Sequence, residues 1–245
     1  MPSIKYKEIY ETLHSELENG TYRDTGMLPS ERLLIERFGC SRNTVRRAIE
    51  ALASEGYVQS IHGKGVQVLK TTPTSDSILV SEIESFNEAA ARLQKVPGTI
   101  VKEFSEIELS SDEAQKTGFA PGETVYLIKR VRTLNGTPVV LDINYFLKSD
   151  AQGLTAEIAS DSVYDYLENT VGLQIVTSQK CITVERATAD DQKYLTRGVH
   201  DYVCVVSCQS YNSSGKQFEY TQSRHLPEHF VFTETATRHK KKSSS

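Results

Sequence analysis

The sequence lacks several features, and each absence excludes a class of protein. It has no tryptophan and only two methionines, and it contains no apolar run near the roughly 18 residues needed to span a membrane. Its first residues, Met1 to Lys7, lack the apolar segment of a signal peptide. We therefore expect a cytoplasmic protein that makes no contact with a membrane.

The spacing of the cysteines and the absence of the usual catalytic motifs argue against a metal site and against an enzyme. Cys40, Cys181, Cys204 and Cys208 do not follow the spacing of zinc sites or of disulfide frameworks. Cys204 and Cys208 lie in an apolar, strand-like run, which predicts buried free thiols. The motifs G-x-S-x-G and H-E-x-x-H and the nucleotide-binding phosphate loop are absent. We predict no catalytic residue, no metal and no cofactor.

The segment from Leu28 to Leu69 predicts two short helices followed by a β-hairpin. Ser30 is a good N-cap for the first helix, and Gly39 supplies the left-handed conformation that often ends one. Ser41 caps the second helix, and helical spacing predicts its buried face at Val45, Ala48, Ile49 and Leu52. The following turn, His62 to Gly65, joins two short β-rich runs. A tight two-helix turn followed by a hairpin is typical of a winged helix-turn-helix.

Basic and polar side chains lie off the apolar stripe at the start of the second helix. They are Arg42, Asn43, Arg46 and Arg47. Although the chain has a net charge of −4, residues 37–70 contain six Lys or Arg and only two Asp or Glu. Affinity for DNA depends on local neutralisation of phosphates, so the acidic total does not exclude DNA binding. Arg47 points further round the helix, where we expect it to pair with Glu50.

These motifs resemble the winged helix-turn-helix of the GntR family of bacterial transcription regulators. The resemblance is carried by Leu28-Pro29-Ser30-Glu31-Arg32, Ser41-Arg42-Asn43-Thr44-Val45-Arg46 and Gly63-Lys64-Gly65. It implies that residues at or near DNA are Arg32, Ser41, Arg42, Asn43, Thr44, Arg46, Gly63, Lys64 and Gly65. The alternative is that the basic residues form a solvated helix face.

The pattern changes after residue 77, and the domain limits follow from that change. We expect a DNA-binding domain at 1–70 that begins with a supporting helix, a linker at 71–77, an effector domain at 78–237 and a disordered basic tail at 238–245. The effector domain reads as α+β, with strands predicted at 99–109, 124–134, 137–147, 173–186, 202–211, 217–226 and 230–232. Short helices are predicted at 111–117, 162–169 and 190–195. Hairpins between most strands predict a mainly antiparallel sheet with helices packed on it.

The second half is similar to the UTRA effector-binding domain of the HutC subfamily, which has the fold of chorismate lyase. Several phrases are similar to the branch of the subfamily that represses trehalose operons, above all Tyr220-Thr221-Gln222-Ser223-Arg224-His225. The resemblance implies a repressor that is released by trehalose 6-phosphate. It also implies a homodimer that binds palindromic operator DNA, because two-fold symmetry in the protein matches two-fold symmetry in the site.

Two arginines are the centre of the predicted effector site. Arg130 and Arg132 lie two apart in a predicted strand, so their side chains share one face. Two adjacent guanidiniums repel each other unless an anion or a carboxylate lies between them, and a phosphate satisfies both. The structural alternative is that they pair with Asp142 or Glu219 on neighbouring strands. A second phosphate contact is predicted at the start of a helix, at Ser162, which is otherwise only a cap.

The resemblance assigns roles to nine positions of this domain. It implies that the phosphate is held by Arg130, Arg132, Ser162 and Tyr164, that a loop at Ser85 and Phe86 closes over it, and that Asp142, Glu219 and His225 lie at the sugar end. Two alternatives stay open: the same regulator sensing another ligand, such as an amino-sugar 6-phosphate or an organic acid, and a chorismate lyase-like enzyme.

Overall fold

The computed structural model describes residues 3–69, 83–195 and 201–232. The chain divides into two compact units, Met1–Pro73 and Thr74–Thr233, and each is described by itself. The predicted linker at 71–77 and the predicted basic tail at 238–245 lie outside the described residues. Within the described ranges, no helix is both long enough and apolar enough to cross a membrane.

The first unit contains three helices and a β-hairpin. They are α1 (Ser3–Glu18), α2 (Glu31–Phe38), α3 (Arg42–Ser54), β1 (Val58–Ile61) and β2 (Gly65–Val68). The predicted caps are present: the Ser30 side chain accepts a hydrogen bond from the Leu33 amide, and Gly39 ends α2 in the left-handed conformation. The predicted apolar face of α3 is buried against α1 and α2, with Val45, Ala48 and Leu52 fully enclosed. The winged helix-turn-helix follows from these local signals.

The second unit is built on one six-stranded antiparallel sheet. Its strands are β3 (Pro97–Glu108), β4 (Thr124–Leu134), β5 (Thr137–Leu147), β6 (Ile175–Arg186), β7 (Tyr202–Asn212) and β8 (Gln217–His225), in the spatial order β3-β4-β5-β8-β7-β6. The hairpin between β4 and β5 turns at Asn135 and Gly136, both with positive φ, which is the conformation that an Asn-Gly turn favours. The α+β class and the mainly antiparallel sheet are confirmed.

Short helices cover both faces of the sheet. They are α4 (Phe86–Arg92), α5 (Ser111–Thr117), α6 (Ala156–Ala159), α7 (Val163–Tyr166) and α8 (Ala189–Tyr194), and a π-helical turn at Leu167–Val171 extends α7. Side chains of α6, α7 and the π turn pack with Phe146 and Phe218 in one core cluster. On the other face, the buried Arg224 of β8 holds α8 by an ion pair with Asp191, at 2.9 Å.

Three details of the second unit differ from the sequence-based predictions. The helices α4 and α6 are additional elements. The strand predicted at 230–232 is wrong. A short 3-10 helix at Pro227–His229 follows β8 and ends its extended backbone, and the Phe230 ring packs against His225 with centroids 5.2 Å apart. Phe230 is therefore held by a ring contact of its side chain, without a backbone ladder.

The two edge strands of the sheet have different chemistry. β3 carries the charged residues Lys102, Glu103, Glu106 and Glu108, and its register shifts between Val101 and Glu103. β6 instead has an exposed segment without charge at 181–184, in which Val184 is 69% exposed. β6 also carries charges, at Lys180, Glu185 and Arg186, and a register shift between Ile175 and Thr177. Charges and bulges oppose pairing with another strand, so among the described residues the uncharged segment 181–184 is the part of this edge best suited to a partner strand.

Candidate functional site

The start of α3 presents an exposed basic surface on the first unit. The Ser41 side chain accepts a hydrogen bond from the Thr44 amide at 3.3 Å, and the two hydroxyl groups lie 2.9 Å apart. This cap fixes the first turn of α3, from which Arg42, Asn43 and Arg46 project into solvent. A helix start with exposed guanidinium and amide groups suits both phosphates and the edges of bases.

An acidic residue that the sequence analysis did not single out organises this surface. The Glu31 carboxylate, at the start of α2, lies 3.2 Å from Nε of Arg42 and 3.7 Å from Nε of Arg46. Both arginines keep more than half of their side-chain surface exposed, at 70% and 58%. Glu31 therefore aligns the two guanidiniums while leaving them accessible.

Two other predicted residues of the first unit have different surroundings. Arg32 pairs with Glu36 one turn further along α2, at 3.0 Å. Arg47 lies over the ring of Tyr6, 4.5 Å from its centroid. The expected partner of Arg47 was Glu50, but its guanidinium packs on α1, because the ring offers both apolar contact and a cation–π interaction.

The tip of the hairpin depends on two glycines. Gly63 and Gly65 have φ of 74° and 105°, which side-chain-bearing residues rarely adopt. A Cβ atom on Gly65 would lie 3.2 Å from the terminal methyl of Met27. The tight turn exposes Lys64 at its tip, where the ammonium group can reach a phosphate.

In the second unit, one cavity brings all nine predicted effector residues together. It lies over one face of β4, β5 and β8, and it is lined by Ser85, Phe86, Arg130, Arg132, Asp142, Ser162, Tyr164, Glu219 and His225. The strand register puts Arg130 opposite Asp142 and Asn144 opposite Thr221. Because alternate residues of each strand share a face, the two arginines and Asp142 point into the same cavity.

The two arginines of the cavity have different partners, and Arg132 is the one in an ion pair. Arg132 donates from Nε to Asp142 at 2.8 Å and from Nη1 to the hydroxyl of Thr99 at 2.6 Å. The ring of Phe86 lies over its guanidinium, with 5.3 Å between the centroid and Cζ. The structural alternative, an ion pair with a carboxylate of the neighbouring strand, is thus correct for Arg132.

Arg130 has no carboxylate within ion-pair distance among the described residues. Its Nε donates to Oδ1 of Asn144 at 3.0 Å, while its Nη1 is buried without a hydrogen-bond partner in the described part of the chain. Burial, together with the adjacent charge of Arg132, lowers the pKa of Arg130 to about 9. A buried guanidinium with an unused donor is costly, and an anionic group bound in the cavity would satisfy it.

Glu219 receives two hydrogen bonds at the opposite end of the cavity. The Tyr164 hydroxyl donates to Oε2 at 2.6 Å, and the Thr221 hydroxyl donates to Oε1 at 2.6 Å. Burial, followed by the nearby Glu219 charge, raises the pKa of Tyr164 well above its usual value. The phenol therefore stays protonated, and it ties α7 to β8.

His225 and the cysteines complete the description of the titratable groups. Burial lowers the pKa of His225 to about 4, so its imidazole is neutral at pH 7. All four cysteines are free thiols; Cys204 and Cys208 are partly buried, whereas Cys181 is exposed. Within the described ranges, no cluster of three His, Cys, Asp or Glu side chains could hold a metal ion.

The predicted loop at Ser85 and Phe86 is the start of a helix. Ser85 caps α4 through a capping box with Glu88, in which each side chain bonds the backbone of the other residue. This reciprocal pair explains why the chain is helical there, and it presents Phe86 to the cavity. Ser162 caps α7 by accepting from the Asp165 amide at 3.2 Å, so its hydroxyl already has a structural partner.

The sequence analysis missed several polar residues of the cavity, among them Asn144, Thr221, Ser223 and Lys180. Asn144 and Thr221 connect Arg130 to Glu219, and Ser223 donates to Oδ1 of Asp142 at 2.7 Å. Polar residues at alternate positions in strands that are otherwise buried were the available signal. On β8 that alternation runs through Glu219, Thr221, Ser223 and His225, but only its two ends were singled out.

Comparisons with known proteins agree with both halves of this description. Residues 5–68 match the family described as "Bacterial regulatory proteins, gntR family", and residues 92–231 match the family described as "UTRA domain". The chain belongs to the GntR family of transcriptional regulators, in the HutC-type arrangement of a winged helix followed by a UTRA domain.

The relatives narrow the class further. The chain is 35% identical to the HTH-type transcriptional regulator TreR of Bacillus subtilis, over 96% of this chain and 98% of TreR. It is 26% identical to the repressor NagR of the same organism, over 93% of this chain and 92% of NagR. Among solved structures, the effector-binding domain of the B. subtilis trehalose repressor matches with a TM-score of 0.52 and 31% identity, covering 58% of this chain and 99% of that domain.

A full-length neighbour supports the overall fold. The possible transcriptional regulator YydK of B. subtilis matches with a TM-score of 0.76 over 96% of this chain and all of that chain, at 22% identity. This protein is therefore a transcriptional regulator of the GntR/HutC type that is similar to TreR.

Proposed function

We propose that this protein is a repressor of trehalose-utilisation genes, acting in the cytoplasm, that trehalose 6-phosphate releases from its operator. The sugar is suggested by the similarity to TreR and to the trehalose repressor domain. The phosphate is supported by Arg130, whose buried Nη1 has no partner in the described part of the chain. That unused donor is the observation on which the assignment of an anionic effector depends.

The proposed DNA contacts follow from the exposed start of α3 and from the hairpin tip. Arg42 and Arg46 are separated by one helical turn, and each can bind a guanine in bidentate fashion or a phosphate. Lys64 and the two glycines of the hairpin bring backbone and charge close to a neighbouring phosphate. Arg32, Ser41, Asn43 and Thr44 border the same surface and are proposed to contact the backbone or nearby bases.

The proposed ligand contacts use both ends of the cavity. The phosphate binds between Arg130 and Arg132, near the starts of α4 and α7, where Ser85, Phe86, Ser162 and Tyr164 line the cavity. The strand register separates two of the predicted sugar contacts, because His225 lies in the row of Arg132 and Glu219 lies six residues away along β8. We therefore propose that sugar hydroxyls bind on both sides of the phosphate position, since a carboxylate accepts and a neutral imidazole both donates and accepts. Asp142 lies between the two ends and already holds Arg132.

The proposed switch uses α4 and the segment that precedes it. Phe86 already lies over Arg132, so a phosphate that binds this guanidinium also acts on the start of α4. Residues 71–77 connect α4 to the DNA-binding domain, and a change in α4 re-aims the two DNA-binding domains of a dimer. The ligand shifts this equilibrium only by its different affinity for the two states, typically about 1–3 kcal/mol.

The proposed dimer is supported by the open edge of the sheet. β6 offers unpaired backbone groups beside the uncharged segment 181–184, and two copies of an antiparallel edge strand can pair about a two-fold axis. Ile182→Lys should convert the dimer to a monomer and weaken operator binding. Ile100→Lys on the charged edge β3 is the matched control, because Ile100 is also exposed. Equal masses for both variants in analytical ultracentrifugation would reject β6 as the interface.

The effector is tested by calorimetric titration with trehalose 6-phosphate, glucosamine 6-phosphate and trehalose. We expect tight binding of trehalose 6-phosphate alone, and release of operator DNA by the same compound in a gel-shift assay. Tight binding of glucosamine 6-phosphate instead would keep the anion site and reject the trehalose assignment. Arg130→Ala should lose ligand binding and keep operator binding; loss of both would mean that Arg130 has a structural role.

DNA recognition is tested separately with variants of the full-length protein that change the first unit. Arg42→Ala should weaken operator binding and lower the slope of log K against log salt by about one, while ligand binding stays unchanged. Arg47→Ala is the control, since this arginine packs on Tyr6. An Arg42→Ala protein with unchanged operator affinity would contradict the assignment of α3 as the recognition helix.

A further inference from the structure

The two arginines of the cavity differ in the group that each Nε contacts. Arg132 touches the carboxylate of Asp142 directly, at 2.8 Å. The Nε of Arg130 meets the neutral amide of Asn144 instead, at 3.0 Å. Arg130 and Asn144 are 3% and 1% exposed, so water does not screen this contact. The strand register explains the difference, because each arginine reaches diagonally to the residue two places beyond its own register partner on β5: Arg132 from Val140 to Asp142, and Arg130 from Asp142 to Asn144.

A chain of hydrogen bonds leads from Asn144 to a carboxylate. Nδ2 of Asn144 donates to Oγ1 of Thr221 at 2.7 Å, and this hydroxyl donates its own proton to Oε1 of Glu219 at 2.6 Å. Thr221 and Glu219 are also buried, at 8% and 4% exposure. The two ends fix the direction of the chain, since a guanidinium can only donate and a carboxylate can only accept.

We propose that Asn144 and Thr221 are positioning residues that orient Arg130 through a neutral amide, and so leave its terminal amino groups free to bind the anionic group of the effector. This inference rests on the proposed function of the cavity as an effector site. Asn144 supplies an acceptor that orients Nε without neutralising the guanidinium. Thr221 accepts a hydrogen bond from Asn144 and donates one to Glu219, whose other carboxylate oxygen accepts from Tyr164. The anion site and the proposed sugar contact at Glu219 are thereby joined by one directional network.

A purely structural network would only satisfy buried polar groups, and a near-isosteric substitution separates the two roles. Asn144→Asp keeps an acceptor for Nε of Arg130 and brings a carboxylate into direct contact with it. A carboxylate anywhere in the cavity lining repels an anion, so a structural role predicts only the loss that a charge added elsewhere in the lining also causes. The positioning role predicts normal folding and a larger loss of anion binding, because the guanidinium of Arg130 is then neutralised as that of Arg132 already is.

The experiment measures binding to the full-length protein by calorimetry and by thermal shift, with trehalose 6-phosphate, trehalose and inorganic phosphate as probes. For Asn144→Asp we expect roughly a 10- to 100-fold loss of affinity for both phosphate-containing probes, consistent with one added charge beside the site. Asn87→Asp is the matched control, since it is equally isosteric and adds the same charge to the cavity lining at a residue whose hydrogen bond goes to Asp161 and not to Arg130. Equal losses of phosphate affinity in the two variants would show simple repulsion and overturn the inference. Unchanged affinity of Asn144→Asp for inorganic phosphate would overturn the inference.

A second pair of variants tests Thr221 and guards against misfolding of the first. Thr221→Val removes the hydroxyl and should weaken phosphate binding several-fold, whereas Thr221→Ser should restore it. Equal binding by the Val and Ser variants would overturn the role of Thr221. If the wild type binds inorganic phosphate but not trehalose 6-phosphate, the proposed function fails while the network can still be judged. If the wild type binds no phosphate probe, the anion site and the network both fail.

Discussion

The buried imidazole of His225 should make the stability of the second unit depend on pH. Its side chain is 4% exposed, and burial lowers its pKa from 6.5 to about 4. In the unfolded chain the imidazole takes up a proton near pH 6.5, whereas in the folded protein it does not until about pH 4. Stability is therefore complete above pH 6.5 and falls as the pH decreases through this window.

The size of the effect follows from the two pKa values. Between pH 7 and pH 5 the unfolded state gains protons that the folded state does not, which lowers the free energy of unfolding by about 2 kcal/mol. The nearby Asp142 carboxylate favours the charged imidazole and limits the shift. The lowered pKa of Asp142 also contributes to the pH dependence, so the wild-type protein must be compared with a variant that lacks only this imidazole.

Urea unfolding followed by far-UV circular dichroism at pH 7 and pH 5 provides the assay. We expect His225→Gln to lose about 2 kcal/mol less than the wild type between these pH values. His62→Gln is the control, because His62 is exposed at the hairpin of the first unit and its loss should leave the pH dependence unchanged. Parallel pH dependences for the wild type and His225→Gln would refute the reasoning.

Three further substitutions test the remaining structural arguments. Asp191→Asn leaves the buried Arg224 without its enclosed partner and should lower the free energy of unfolding by about 3–5 kcal/mol; a loss below about 1 kcal/mol in chemical denaturation would show that Glu185 suffices. Ser41→Ala removes the α3 cap and should destabilise the first unit by about 1 kcal/mol, with Ser41→Thr restoring most of it in the same assay. Phe146→Ala empties a fully buried site and should cost about 3–5 kcal/mol, and a smaller melting shift than that implies would mean that the core collapses around the cavity.

Local signals were sufficient for most of the fold. The caps at Ser30 and Ser41 and the Asn135-Gly136 turn depend on bonds and dihedral angles within a few residues, so the sequence predicted them at the correct positions. The predicted bounds of β4 and β5 are those observed. The two-residue turn fixes where β4 ends and where β5 begins. The helix α4 carried its own capping box at Ser85 but was too short to show an apolar period.

The candidate site could be predicted only in part, since its chemistry depends on pairs that are distant in sequence. Alternation predicted that Arg130 and Arg132 share a face, but it could not tell which of them meets a carboxylate. That distinction is set by the register between β4 and β5, where a shift of two residues would bring Arg130 to Asp142 and leave Arg132 at Val140. The network through Thr221 requires the further pairing of β5 with β8, which joins residues 77 positions apart.

The contact of Phe86 with Arg132 marks a position where a fluorescent side chain would report ligand binding. The chain contains no tryptophan, so Phe86→Trp would introduce its sole indole directly over a guanidinium. Indole emission responds to a neighbouring cation and to water, whereas the tyrosines of the chain report on many places at once. The start of α4 is thus a natural position for a single fluorescent reporter, from which the rate of ligand entry and the movement of the helix can be read in real time.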